Sequence, residues 1–258
     1  MNGDSNFSFS QMQKNLRIIV LENPYENWTQ PKVPDLFKNL VELKRLGYEG
    51  FYPFGFLPLD TGDFVATHLM ICEETENELI PICAYRSLSL RQFESYHLTF
   101  PAISALSKDK GSESHLQSVE LVINRVKEQN KQLTFSSGWT VHPKVRKNRE
   151  KVDLMKNITR AMFYLFQDEF GSHEEIGFGV PKVKTDIYFS QIGYDRMTLD
   201  GNILEPIAHT DIGGEPIVLI HRTNFTSAAI EAAERHRELW ENKISIRVEQ
   251  SAKKREAA

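Results

Sequence analysis

Residues 141–151 read Val141-His142-Pro143-Lys144-Val145-Arg146-Lys147-Asn148-Arg149-Glu150-Lys151, a strongly cationic stretch between a strand-like run and a long helical one. Two readings of its side chains stand. Lys144, Arg146, Lys147, Arg149 and Lys151 can form a cradle for a phosphate or pyrophosphate, or they are a solvated charge run. Asn148 is a good N-cap and Glu150 suits the positive end of a helix, so a helix start here needs no ligand to explain it. Just upstream, Gly138 sits inside the strand-like run 134–141, where a glycine marks a bulge or a close backbone approach, or relieves crowding by Trp139. His209-Thr210-Asp211 and His221 are metal-ligand residue types, but their spacing matches no ligand pattern and no metal is expected.

The elements that must position these residues follow from hydrophobic period. Leu16-Arg17-Ile18-Ile19-Val20-Leu21 is a β-type run, and 35–47 carries Leu36, Leu40, Leu43 and Leu46 at helical spacing before a glycine. The aromatic, Pro- and Gly-rich stretch 48–61 predicts an ordered loop that lines a pocket or plugs the core. Runs at 64–73 and 79–90, joined by polar residues, predict a hairpin. A helix is expected over 114–130, the central strand over 134–141, and a long buried helix through Val152, Met155, Thr159, Met162, Phe163 and Phe166. A strand at 175–180, a short helix at 184–191, a late strand at 217–222 and a terminal helix at 226–242 complete the pattern.

At 258 residues and 40% hydrophobic content the chain can bury a substantial core, and no segment is apolar for long enough to cross a bilayer. A net charge of −4 argues against general nucleic-acid binding and suits a small anionic ligand at a local basic loop. Cys72 and Cys83 fall in the hairpin strands and read as buried reduced thiols. The start Met1-Asn2-Gly3-Asp4-Ser5 lacks a basic segment followed by an apolar run, which makes the cytoplasm the default compartment. Residues 1–14 are expected to be loose and 250–258 to form a polar tail, leaving 15–249 as one α+β domain.

The order strand, basic loop, amphipathic helix, strand, short helix and Phe189-Ser190-Gln191-Ile192-Gly193-Tyr194 resembles the acyl-cofactor half of the GNAT N-acyltransferases. In that superfamily the loop begins V-x-P-x-x-R, as at Val141, Pro143 and Arg146 here, and continues to a glycine pair whose places Arg149 and Lys151 take. A narrower resemblance spans Asp63-Phe64-Val65-Ala66-Thr67-His68-Leu69 and Ala84-Tyr85-Arg86. It is similar to the D-x-x-x-x-H strand and its partner in acyl-homoserine lactone synthases and long-chain N-acyl amino acid synthases. This chain lacks the E-x-x-R arrangement many of those enzymes carry on the central strand.

The resemblance implies a GNAT-like, mostly antiparallel mixed sheet flanked by helices and splayed at the central strand. It implies transfer of an acyl group from a thioester, acyl-CoA or acyl carrier protein, to a small-molecule amine. Trp139 and Val141 would then contact the thioester through their backbone, with Arg146, Lys147, Asn148, Arg149 and Lys151 around the donor phosphates. His68 and His142 are the candidate bases. The family's acid tyrosine is Phe189 here, which leaves Tyr188 or Tyr194 to protonate the thiolate. Asp63 and Arg86 are candidates to orient an amine and a carboxylate, unless they pair with each other or with neighbours. Acyl carrier protein is an expected partner because its acidic surface would meet the basic loop. A noncatalytic binding relative and a component of a larger assembly stand as alternatives.

Overall fold

The computed structural model describes residues 15–52, 59–76 and 78–247. The loose segment expected over 1–14 and the tail over 250–258 lie outside them.

In chain order the strands are β1 (Leu16–Glu22), β2 (Thr67–Glu74), β3 (Leu79–Ser89), β4 (Leu133–Val141), β5 (Glu174–Gly179), β6 (Tyr194–Arg196), β7 (Thr198–Leu199), β8 (Asn202–Ile203), β9 (Ile207–His209), β10 (Glu215–Arg222) and β11 (Ile244–Ile246). The helices are α1 (Val33–Glu49), α2 (Thr61–Val65), α3 (Leu90–Ser95), α4 (Pro101–Leu106), α5 (Glu113–Glu128), α6 (Pro143–Arg146), α7 (Arg149–Phe170), α8 (Thr185–Ser190), α9 (Ser227–Arg235) and α10 (Arg237–Glu241). Among the described residues a nine-stranded sheet runs β11-β1-β2-β3-β4-β5-β10-β6, with β9 paired to β10. Its pairings are antiparallel except β1–β11 and β4–β5.

Both faces are covered, which is why β1 is buried almost along its whole length. Ile18 and Val20 of β1, Leu69 and Ile71 of β2 and Tyr85 of β3 join the apolar stripe of α7 (Leu154, Met155, Ile158, Met162, Phe163, Phe166). On the opposite face Ile19, Leu21, Met70 and Ala84 pack under α1, and Leu88, Phe135, Ile176 and Leu219 pack against Phe93, Ala102, Val119 and Val126 of α3 to α5. α7 starts at Asn148, whose side chain accepts the Lys151 N–H at 3.0 Å, and stops where Gly171 turns left-handed at φ +70°. Cys72 and Cys83 are free, buried thiols. No helix among the described residues is long and apolar enough to cross a membrane.

Several expected bounds move. The hairpin's first strand does not begin at residue 64, because Asp60 and Asp63 turn Thr61–Val65 into α2, with the Asp63 carboxylate accepting the Asp60 N–H at 3.0 Å. The helix expected over 226–242 is broken into α9 and α10 at His236, whose φ of −111° leaves the helical range. α1 runs through Tyr48 to Glu49, and 53–58 of the aromatic loop lie outside the described residues.

Candidate functional site

β4 and β5 pair in parallel only from Leu133↔Glu174 to Ser136↔Gly177, and beyond that point they part. The cause is legible in the backbone: Gly138 adopts φ +67°, and the β3–β4 register slips so that Ala84 faces Thr140 while Arg86 faces Ser137. One residue of β3 thus opposes two of β4, the arrangement of a bulge, which bends the strand and increases its twist. Ser137, Thr140 and Val141 stay paired with β3 on one side, and among the described residues 137–141 have no strand partner on the β5 side. A cleft of about 830 Å³ fills the opening.

The cleft reaches both faces of the sheet. Arg146, Val152, Lys156, Thr185 and Phe189 line it on the α7 side, and Asp60, Arg86, Phe93, Ala105, Phe178 and His209 are among its walls on the other. The charged wall is a network centred on Arg86. Its guanidinium forks onto Asp60 at 2.7 and 2.8 Å, donates from Nε to Ser137 Oγ at 2.9 Å, and meets Asp63 at 2.7 Å. Asp63 is fully buried and also pairs with Lys44, whose side chain is 2% exposed. Burial opposes ionisation of Asp63, but Arg86 and then Lys44 outweigh it and hold the carboxyl down to about 2. Burial pulls the Lys44 ammonium down to about 8 against the pull of Asp63.

The sequence singled out Asp63 and Arg86 as substrate-side charges, and the structure pairs them with each other. Arg86 still lines the cleft, whereas Asp63 is sealed behind it. Sequence reasoning missed Lys44, Asp60 and Ser137. Lys44 had a signal: with Leu36, Leu40 and Leu43 it occupies the apolar stripe of α1, where a lysine needs a buried partner.

The remaining candidates scatter. Trp139 and Val141 line the cleft as expected of their strand. Arg146 lines it too, but its guanidinium donates to the Gly47 carbonyl at 3.0 Å and lies 4.7 Å over the Phe51 ring, capping the C-terminal end of α1. Lys147, Asn148 and Arg149 are exposed and Lys151 is half-buried around the α7 N-terminus; Arg149 is 95% exposed and, among the described residues, reaches only Asp153, at 3.9 Å. The cradle of five cations is therefore not assembled in this structure.

His68 and His142 are not placed to act as bases on a ligand in the cleft. His68 is fully buried, its Nε2 donating to the Asp63 carbonyl at 2.6 Å, and burial lowers it to about 4, so it stays neutral. His142 caps α6, its Nδ1 accepting the Lys144 N–H at 3.0 Å. Nor do the two tyrosines present an acid to the cleft. Tyr188 donates its hydroxyl to the Lys156 carbonyl at 2.8 Å. Tyr194 is buried beneath Arg222, which pairs with Glu175 at 2.7 Å, and burial followed by the Glu175 charge raises its phenol well above the usual range. Among the described residues no group of side chains could hold a metal ion.

No family model matches the chain, and no curated protein matches it. Solved structures similar to it include the CoA-dependent acyl-homoserine lactone synthase BjaI with SAM and isopentyl-CoA, at 10% identity and a TM-score of 0.48 over 90% of this chain and 92% of that one. The N-acyl amino acid synthase FeeM from uncultured soil microbes aligns at 11% identity, TM-score 0.41, over 81% of this chain and 90% of that one. An acyl-CoA N-acyltransferase from Pseudomonas aeruginosa aligns at 11% identity, TM-score 0.42, over 80% and 99%. The strand order, the parallel β4–β5 pair and its opening beyond Ser136 make this a mixed, mostly antiparallel sheet flanked by helices and splayed at its central strand.

Proposed function

We propose that this protein moves an acyl group from a thioester to an amine. The observation that carries the reading is the parting of β4 from β5 at Ser136 and Gly177, which leaves strand backbone facing a cleft of about 830 Å³. Backbone N–H groups fixed by β3 on the other side cannot reorient, so a thioester carbonyl laid along residues 137–141 would meet donors already in place for its developing negative charge. A thioester arm extended beside β4 would complete the interrupted ladder, much as an added strand does.

The two mouths suit two substrates. On the α7 side, Arg146 and Lys156 in the cleft, with the exposed Lys147 and Arg149 and the half-buried Lys151 beyond it, suit the phosphates of acyl-CoA or the acidic surface and phosphodiester of acyl carrier protein. On the other side, Asp60, with 60% of its side chain exposed, is aimed by Arg86 and offers a carboxylate to a cationic acceptor. A binding-only relative is the second reading, favoured by the tyrosine hydroxyls turned away from the cleft.

Calorimetry with acyl-CoA and acyl carrier protein, followed by single-turnover assays of thiol release with amine acceptors, tests both. Saturable donor binding with thiol release that depends on an amine supports transfer. Binding without release selects the second reading, and absence of donor binding overturns the transfer reading.

A further inference from the structure

The geometry points to His209, oriented by Asp109, as the general base that removes a proton from the acceptor ammonium; this inference rests on the acyl-transfer reading above. His209 ends β9, and Asp109 lies in the turn after α4, where its N–H donates to the Leu106 carbonyl at 3.0 Å. The tertiary structure brings His209 Nδ1 within 2.7 Å of Asp109 Oδ2, while Asp109 Oδ1 accepts the Thr210 N–H at 2.7 Å. The Asp109 side chain is fully buried and that of His209 is 8% exposed.

Burial opposes ionisation of Asp109, but the Thr210 N–H and then His209 hold its carboxyl below the usual range. An ionised carboxylate only accepts, so Nδ1 donates the ring proton to it, and in the neutral form of the ring Nε2 is the nitrogen with the lone pair. Nε2 has no hydrogen-bond partner among the described residues. It is not sealed either, since it is absent from the buried polar atoms that lack partners, and His209 lines the cleft.

Two other buried histidines make the contrast. His68 and His115 each bond through Nε2 to a backbone carbonyl, at 2.6 and 2.9 Å, and their partnerless Nδ1 atoms are buried. Those rings are tied down with no basic nitrogen to offer. In His209 the tied nitrogen is the one a carboxylate orients, and the other is left open in a residue that lines the cavity. This is the geometry a general base needs: a fixed tautomer and an open lone pair.

Its place in the cleft fits. His209 meets Phe178 edge-on with ring centres 5.4 Å apart, and Phe178 in turn meets Phe135 of β4 at 5.1 Å. His209 thus stands on the wall across from Asp60 and Arg86, with the β4–β5 opening between them. The charged groups around it are Asp109, the Lys108–Asp211 pair at 2.8 Å, and Glu215, its ladder partner on β10, which pairs with Lys182.

Nε2 takes one proton from the ammonium, and the freed nitrogen lone pair forms the N–C bond at the thioester carbonyl. The C–S bond breaks with its electron pair on sulfur, the surplus proton of the new amide nitrogen goes to the thiolate, and the imidazolium releases its proton to solvent.

The test compares wild type, His209→Gln and Asp109→Asn in single-turnover transfer, with donor affinity measured separately by calorimetry. His209→Gln should lower transfer by roughly 100-fold or more at unchanged donor affinity. The deficit should shrink with an aromatic amine, which is already neutral at assay pH, and added imidazole should restore part of the rate to His209→Ala. Asp109→Asn acts through the ring: it should lower kcat more than it raises KM for the amine, and shift the His209 ¹⁵N signals from the Nδ1–H towards the Nε2–H tautomer. Should glutamine unfold the site, the Asp109→Asn rates and spectra decide. Normal transfer by a folded His209→Gln, or by Asp109→Asn despite the altered tautomer, overturns the dyad alone. Wild-type protein that binds no thioester overturns the acyl-transfer reading and the dyad with it, and donor affinity tells the two failures apart.

Discussion

The ring of Tyr188 lies flat on Trp139, centroids 4.7 Å apart and planes 14° from parallel, while its hydroxyl donates to the Lys156 carbonyl at 2.8 Å. The ring therefore props the β4 side chain that lines the cleft, and its hydroxyl ties α8 to α7. Tyr188→Phe keeps the stack and removes only the hydrogen bond. It should cost about 1 kcal/mol of stability and leave single-turnover transfer within a few-fold of wild type. A hundred-fold loss of transfer at unchanged donor affinity would return Tyr188 to the role of acid.

Gly138→Ala tests the opening of the cleft. A Cβ there would find its nearest neighbours, Arg86 Cγ and Lys44 Nζ, at 3.8 Å, so space is not the obstacle. The obstacle is the backbone, since φ +67° costs a residue with a Cβ about 1–2 kcal/mol. The strand can relieve that strain only by flattening its bulge. Denaturant unfolding should report a loss of that size, and calorimetry a weaker donor; unchanged affinity would separate the bulge from donor binding.

Asp63 should be the costliest surface-remote carboxylate to remove. Asp63→Ala takes the buried counter-charge away from Lys44, whose side chain is 2% exposed, and from Arg86, a loss of about 3–5 kcal/mol. Lys44→Met/Asp63→Leu removes both charges and should recover part of that loss. A double variant less stable than Asp63→Ala alone would mean that the pair stabilises the fold beyond satisfying its own burial.

Arg146→Ala and Arg149→Ala should behave differently. Arg146 donates to the Gly47 carbonyl at the C-terminus of α1, so its loss should cost about 1–2 kcal/mol. Arg149→Ala should leave the unfolding midpoint unchanged and weaken only the donor, most visibly at low ionic strength. Equal midpoints for the two variants would contradict the capping role.

Acid should destabilise the protein in two stages. The unfolded chain protonates His68 near its ordinary 6.5, whereas the buried ring holds off until about 4. Unfolding takes up a proton between those values, so stability falls as pH drops through that window, by up to about 3 kcal/mol. Asp63, lowered from 3.8 to about 2, contributes stability that is present above 3.8 and lost as pH falls towards 2. Denaturant midpoints measured against pH should show both slopes, and His68→Gln should flatten the first. A wild-type midpoint that does not change from pH 6.5 to 4 would contradict the neutral, buried His68.

Local pattern determined the elements that carry the cleft. Helical spacing of Met155, Met162, Phe163 and Phe166 specified α7, the β-type run specified β4, and Gly138 offered a bulge among its readings, because amphipathic period and glycine's conformational freedom are properties of neighbouring residues. Asn148 likewise announced a helix start from its own chemistry. What each side chain meets was decided elsewhere. Asp63 finds Lys44 and Arg86, His209 finds Asp109 from 100 positions away, and Arg146 turns from the basic loop to the end of α1. Partners of that kind are set by which strands neighbour one another and how β4 bends, so charges that read as a solvated run or a substrate clamp can end as caps and buried pairs. The same holds for the opening beyond Ser136: a glycine in one strand permits it, but only the failure of β5 to follow that strand creates a cleft.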